Sequence, residues 1–173
     1  LSQFFQHSPL VFLSRRDSGI VSPYEMVGKN IALNNSNQSH TPLNTLIFKT
    51  LGDLSKIKQI NYDKSHFQQF IDGKIEVISA YSSSEPYLLK EQGIDVNIID
   101  PKSYGIDFYG DNFFTSQKEL TEHPERVEKI RQATLKGWHY ALEHPDEIIE
   151  LIKNKYNPSF SRDYLNYEAR TTR

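Results

Sequence analysis

The chain contains no cysteine. That absence excludes disulfides, thiolate nucleophiles and cysteine-based zinc or iron–sulfur sites. It is compatible with an oxidising compartment. No apolar run of about 18 residues occurs, so the sequence signal for a membrane-spanning helix is missing. Neither sign of charge dominates: 20 Lys and Arg face 22 Asp and Glu, for a net charge of −2. A nucleic-acid binder needs a basic stripe that this balance does not supply. There is no Gly-rich phosphate loop, no His-Glu-x-x-His and no Gly-x-Ser-x-Gly. The histidines (His7, His40, His66, His123, His139 and His144) are scattered. His139 and His144 are five apart, the wrong spacing for one helix face, and no metal site is expected.

What remains is ordinary globular material. The 173 residues suit one domain as a prior, with 24% charged and 37% hydrophobic side chains. Ten Tyr and ten Phe stand against one Trp. Many tyrosines in a polar chain suit wet, amphipathic surfaces such as a binding cleft. Leu1 is not an initiator Met, and residues 164–173 read as a helix with no stop signal after it. The sequence therefore reads as a piece of a longer chain.

Short apolar runs alternate with helical patterns over the first two-thirds. Leu10-Val11-Phe12-Leu13, Asn30-Ile31-Ala32-Leu33, Lys58-Gln59-Ile60-Asn61-Tyr62, Val77-Ile78-Ser79-Ala80-Tyr81 and Val96-Asn97-Ile98-Ile99 are strand candidates. Pro42 suits a first helical position, and Leu43, Leu46, Ile47 and Leu51 then share one face before Gly52. Residues 65–71 and 86–92 form two more helical patterns, each followed by glycine. Such alternation predicts an α/β fold with a parallel-rich sheet. Residues 108–115 read as one further strand, interrupted by Gly110.

Helices are predicted from Ser116 onward. Val127, Ile130, Thr134, Trp138 and Ala141 form a stripe at helical spacing. Glu122-His123-Pro124-Glu125 and Glu143-His144-Pro145-Asp146 echo each other as two similar helix starts, with Pro in the first turn and a carboxylate against the dipole.

Three loops carry groups suited to a ligand. The first, residues 34–41, offers the hydroxyls of Ser36, Ser39 and Thr41 between a strand and a helix. Its composition equally suits a solvated loop of turn formers. The second, residues 81–87, offers Tyr81, Ser82, Ser84 and Glu85, where Ser84 or Glu85 also suits a helix cap. The third, residues 104–111, offers Asp107 and Tyr109 in a stretch with two glycines that suits a crossover; its aspartates equally suit turn caps. Tyrosine ring faces and carboxylates favour a ring bearing an amino group. A hydroxyl set beside a helix start favours an anion, so sulfonate remains open alongside amine and pyrimidine precursor.

The residues also resemble a family. Ser22-Pro23-Tyr24-Glu25-Met26-Val27-Gly28-Lys29-Asn30-Ile31 is similar to the entry into the second lobe of type 2 periplasmic solute-binding proteins. Phe70-Ile71-Asp72-Gly73-Lys74-Ile75-Glu76-Val77-Ile78 looks like their helix-to-strand passage, with Glu76 where Asp is usual. Residues 106–115, then Glu122-His123-Pro124-Glu125-Arg126-Val127, Ala133-Thr134-Leu135-Lys136-Gly137-Trp138 and Ala141-Leu142-Glu143-His144-Pro145-Asp146-Glu147, resemble the branch that binds pyrimidine precursors of thiamine.

The resemblance implies a periplasmic-binding-protein type 2 fold with ligand between two α/β lobes. Residues 1–23 would end lobe one and make the first crossover, 24–103 would form lobe two, and 104–173 would return to the C-terminal helices of lobe one. It implies binding of a small polar or heteroaromatic solute for ABC-type import, in the periplasm or otherwise outside the cytoplasm. The expected partners are the ligand and a membrane permease, with tethering through a segment outside this sequence. A ligand-sensing domain of a histidine kinase or diguanylate cyclase, linked to its signalling module, is the alternative. A pyrimidine-precursor synthase is less favoured, because that branch is expected to carry a Cys-rich iron motif and a pyridoxal phosphate lysine in the part of the fold missing here. No enzyme activity, cofactor, metal or nucleic-acid partner is expected.

Overall fold

The structure is a computed structural model that describes residues 1–33, 40–60, 63 and 65–172. In chain order the elements are β1 (Ser2–Gln3), β2 (Leu10–Arg15), β3 (Asn30–Ala32), α1 (Thr41–Leu51), β4 (Lys58–Ile60), α2 (His66–Ile71), β5 (Val77–Tyr81), α3 (Glu85–Glu91) and β6 (Val96–Ile99). They continue with β7 (Asn112–Phe113), α4 (Gln117–Glu122), α5 (Pro124–Glu143), α6 (Pro145–Leu151), a π-helical turn (Ile152–Tyr156) and α7 (Arg162–Thr171). The chain divides into two units, Ser8–Phe108 and Leu1–His7 with Tyr109–Arg173.

In the Ser8–Phe108 unit five strands form one sheet in the order β4-β3-β5-β2-β6. β3 runs parallel to both β4 and β5, while β2 runs antiparallel between β5 and β6. Four strands thus point one way and one is reversed. The expected α/β class stands, and the parallel set of four strands is made a mixed sheet by β2 alone. Periodicity marks a strand without its direction, which pairing alone sets. Leu10–Arg15, which the sequence reading assigns to the end of the first lobe, is an interior strand of this sheet.

The interior position of β2 follows from its side chains. Leu10, Val11, Phe12 and Leu13 are all buried, as a strand covered on both faces requires. Side chains alternate across the sheet. Leu10 and Phe12 join a core with Ile31, Leu43, Leu46, Ile47 and Ile99, which sets α1 against that face. Val11 and Leu13 join Ala32, Phe70, Ile78 and Leu89, which sets α2 and α3 against the other. Complete burial of such a side chain contributes about 1.5–3 kcal/mol. Where β2 turns, Ser14 is buried but satisfied. Its hydroxyl donates to the Ile20 carbonyl at 2.5 Å, and Asn97 Nδ2 donates to the same carbonyl at 3.0 Å.

Helix ends match the local signals. Pro42 sits in the first turn of α1, and Gly52, at φ +83°, ends it with its N–H on the Phe48 carbonyl. Ser22 and Glu25 close a capping box over a 3₁₀ turn, Pro23–Met26, before β3.

In the Leu1–His7 and Tyr109–Arg173 unit, β1 pairs antiparallel with β7. The pairing continues through the Phe4 N–H to the Asp111 carbonyl and the Gly110 N–H to the Phe5 carbonyl. Only Asn112–Phe113 of the strand expected over 108–115 is a strand. The helices follow as expected. Of the stripe on α5, Val127 is buried, whereas Ile130 remains 49% exposed. Trp138 stacks on Phe4 with ring centroids 5.1 Å apart and meets Phe5 edge-on at 6.3 Å. Helical spacing creates an apolar face, but burial needs a neighbour for it. No helix among the described residues is long and apolar enough to cross a membrane.

Candidate functional site

β3 and β5 lie side by side and parallel, with Ala32 opposite Ile78, so their carboxyl ends share one end of the sheet. Chain leaving these ends leads into α1 and α3. In α/β sheets this end is where ligands bind. β2 is reversed, so its amino end comes to the same place: Leu10 pairs with Tyr81.

The turn after β5 is held by its own residues. The Tyr81 N–H donates to Glu85 Oε2 at 2.8 Å, and the Ser84 N–H donates to the Tyr81 carbonyl at 3.1 Å. The Ser84 side chain makes no cap hydrogen bond to α3. Glu85 opens α3 and is partly buried. Burial pushes its carboxyl above the ordinary glutamate pKa, and the Tyr81 N–H opposes that shift by stabilising the anion. A carboxylate in this setting is a desolvated hydrogen-bond acceptor, and Tyr81 is itself exposed at the same turn.

The second connection joins the same turn through residues 8 and 9. The Ser82 N–H donates to the Pro9 carbonyl at 2.8 Å, and the Ser8 N–H donates to the Phe108 carbonyl at 2.7 Å. Tyr81, Ser82, Ser84, Glu85 and Asp107 therefore belong to one end of one unit, and Asp107 is exposed there. Thr41 is exposed at the start of α1. Tyr109 is exposed in the other unit. Ser36 and Ser39 lie outside the described residues.

Two further groups at the start of α1 escape a sequence reading. Among the described residues, the His40 Nδ1 and Asn44 Oδ1 atoms are buried with no hydrogen-bond partner. A buried polar atom left unmade costs about 1–3 kcal/mol, so such a pair calls for a reason. Burial lowers the His40 pKa, which keeps the ring neutral near pH 7. No cluster of metal-ligating side chains occurs among the described residues.

The family profile described as NMT1/THI5 like matches residues 1–148. The chain belongs to this family. A formylaminopyrimidine-binding protein of Halalkalibacterium halodurans is 25% identical over 84% of this chain and 45% of its own length. The riboflavin-binding protein RibY of Chloroflexus aurantiacus is 22% identical over 85% of this chain and 42% of its own. Among solved structures, the periplasmic aliphatic sulphonate binding protein SsuA of Escherichia coli superposes with a TM-score of 0.75 at 11% identity. That match covers 98% of this chain and 53% of SsuA. It shows the type 2 periplasmic-binding-protein fold, as the resemblance implied. The chain spans less than half the length of the curated relatives it matches.

Proposed function

We propose that this family member is part of an extracytoplasmic solute receptor for ABC-type import. It binds a small heteroaromatic molecule carrying an amino group, without turning it over. The observation that carries this reading is the partly buried Glu85 carboxylate, held by the N–H of an exposed tyrosine, Tyr81. An amino-bearing ring offers donors to the carboxylate along its edge and a face to tyrosine. Ser82, Ser84 and Asp107 stand at the same end and Thr41 opens the neighbouring helix, so they complete the contacts from this unit. Tyr109, with Ser36 and Ser39, is assigned to the same ligand on its side-chain chemistry. The names of two relatives, a formylaminopyrimidine binder and a riboflavin binder, support a nitrogen heterocycle. A membrane permease is the partner this role requires.

Calorimetric titration of the full-length protein with formylaminopyrimidine and with riboflavin tests the reading. Binding of either, weakened at least tenfold by Tyr81→Ala, is the expected result. Micromolar-or-tighter binding of neither compound overturns it. Chemical turnover of a bound compound would overturn the assignment as a receptor.

A further inference from the structure

Two large side chains stand uncovered at the end of the sheet that leads to Glu85: Tyr81 is 44% exposed and Phe108 is 39% exposed. Both belong to the Ser8–Phe108 unit. Strand pairing fixes the face of the first. Tyr81 lies opposite Leu10, and residues directly opposite each other in a sheet share a face. Leu10 belongs to the core cluster beneath α1, so Tyr81 projects from the α1 face. Two routes give Phe108 the same face. Ile106 lies in that cluster, and the chain runs from it to Phe108 without a turn, so residues two apart share a side. Ser8, whose N–H donates to the Phe108 carbonyl, likewise stands two residues from Leu10. Segment 8–9 thus runs between the two, bonded to Ser82 on one flank and to Phe108 on the other.

Neighbouring segments of a sheet lie about 4.8 Å apart, so two spacings and an offset of two residues set Tyr81 and Phe108 about 12 Å apart along the backbone. Aromatic rings stack with centroids about 4.5–7 Å apart, so two walls around one guest ring stand about 9–14 Å apart. Resting on the function proposed above, we infer that Phe108 is the second wall of the ligand site, with the guest ring held between it and Tyr81 over residues 8 and 9. The chemistry of the guest is thereby narrowed. Phe108 brings no charge and no hydrogen bond, only a ring face, and it rewards a guest that has two open aromatic faces. Glu85, held by the Tyr81 N–H, then takes the edge of the same ring. An alkyl sulfonate or an aliphatic amino acid offers neither wall a face.

The test uses full-length protein, with formylaminopyrimidine and riboflavin as probes, and follows whichever compound the wild type binds by calorimetry. Phe108→Leu, which keeps apolar bulk but loses the ring, should weaken binding about tenfold, and Phe108→Ala at least as much. Phe108→Tyr, which keeps the ring, should stay within about threefold of the wild type. Melting temperatures accompany each titration, and Phe108→Leu should melt with the wild type. In Phe108→Trp the added indole should change its emission as the probe saturates, beyond any change that Trp138 shows in the wild type. Where Phe108→Leu melts early, that emission decides alone. A well-folded Phe108→Leu that binds as tightly as the wild type overturns the aromatic wall and leaves the receptor reading standing. So does an added emission in Phe108→Trp that stays unchanged at saturation. A wild type that binds neither probe overturns the receptor reading, and the wall with it.

Discussion

The Glu85 carboxylate accepts the Tyr81 main-chain N–H at 2.8 Å, closing the turn between β5 and α3 with a side chain that is itself desolvated. Two demands compete in that contact. The N–H stabilises the anion, while burial disfavours it, and burial is the larger of the two.

Replacement of Glu85 by Gln should therefore separate stability from binding. A carboxyl whose folded pKa lies above its unfolded value favours the folded state most fully below the unfolded pKa. That contribution fades as pH rises through the folded pKa. Glu85→Gln should accordingly leave the protein as stable as the wild type, or more stable, near pH 7. Its advantage should shrink towards pH 4. Affinity for an amino-bearing ring should fall at least tenfold at pH 7. Thermal melts from pH 4 to 8 beside calorimetric titration check this, and a variant equally stable and equally tight would remove Glu85 from the site.

Gly110 is required by space. A Cβ there would stand 2.5 Å from Phe5 Cβ, an atom close to the backbone that cannot swing aside. Gly110→Ala should push apart the pairing of residues 4–5 with 110–111, at a cost of about 1–3 kcal/mol. The Phe5 ring also meets Trp138, the single tryptophan of the chain. Intrinsic fluorescence should shift together with the denaturation midpoint. An unshifted emission spectrum would show that the two segments tolerate the extra methyl group.

Burial should divide the consequences of two apolar truncations. Phe12 is fully buried between α1 and the sheet, and Phe12→Ala should cost about 3–5 kcal/mol. Ile130 belongs to the α5 stripe yet is 49% exposed, and Ile130→Ala in this chain should stay within about 0.5 kcal/mol. Urea unfolding of both variants measures the contrast. Equal costs would show that the α5 face is covered in solution.

The sequence determined the elements, because their signals are local. Short apolar runs marked strands at 10–13, 77–81 and 96–99, and Pro42 and Gly52 marked the ends of α1. It also pointed to residues 81–85 as a turn rich in ring faces and acceptors, since those types stand together along the chain. The tertiary structure decided everything that depends on pairing across distance. It reversed β2 and set it between β5 and β6, where the apolar run 10–13 finds cover on both faces. That reversal carries Ser8 and Pro9 to the end of the sheet where they bind Phe108 and Ser82, so residues a hundred apart along the chain meet there. Among the described residues it left the His40 Nδ1 and Asn44 Oδ1 atoms buried without hydrogen-bond partners. Covalent geometry fixes which side chains share a face. Which faces meet, and which polar atoms are then stranded, is fixed only when the whole chain competes for the same buried space.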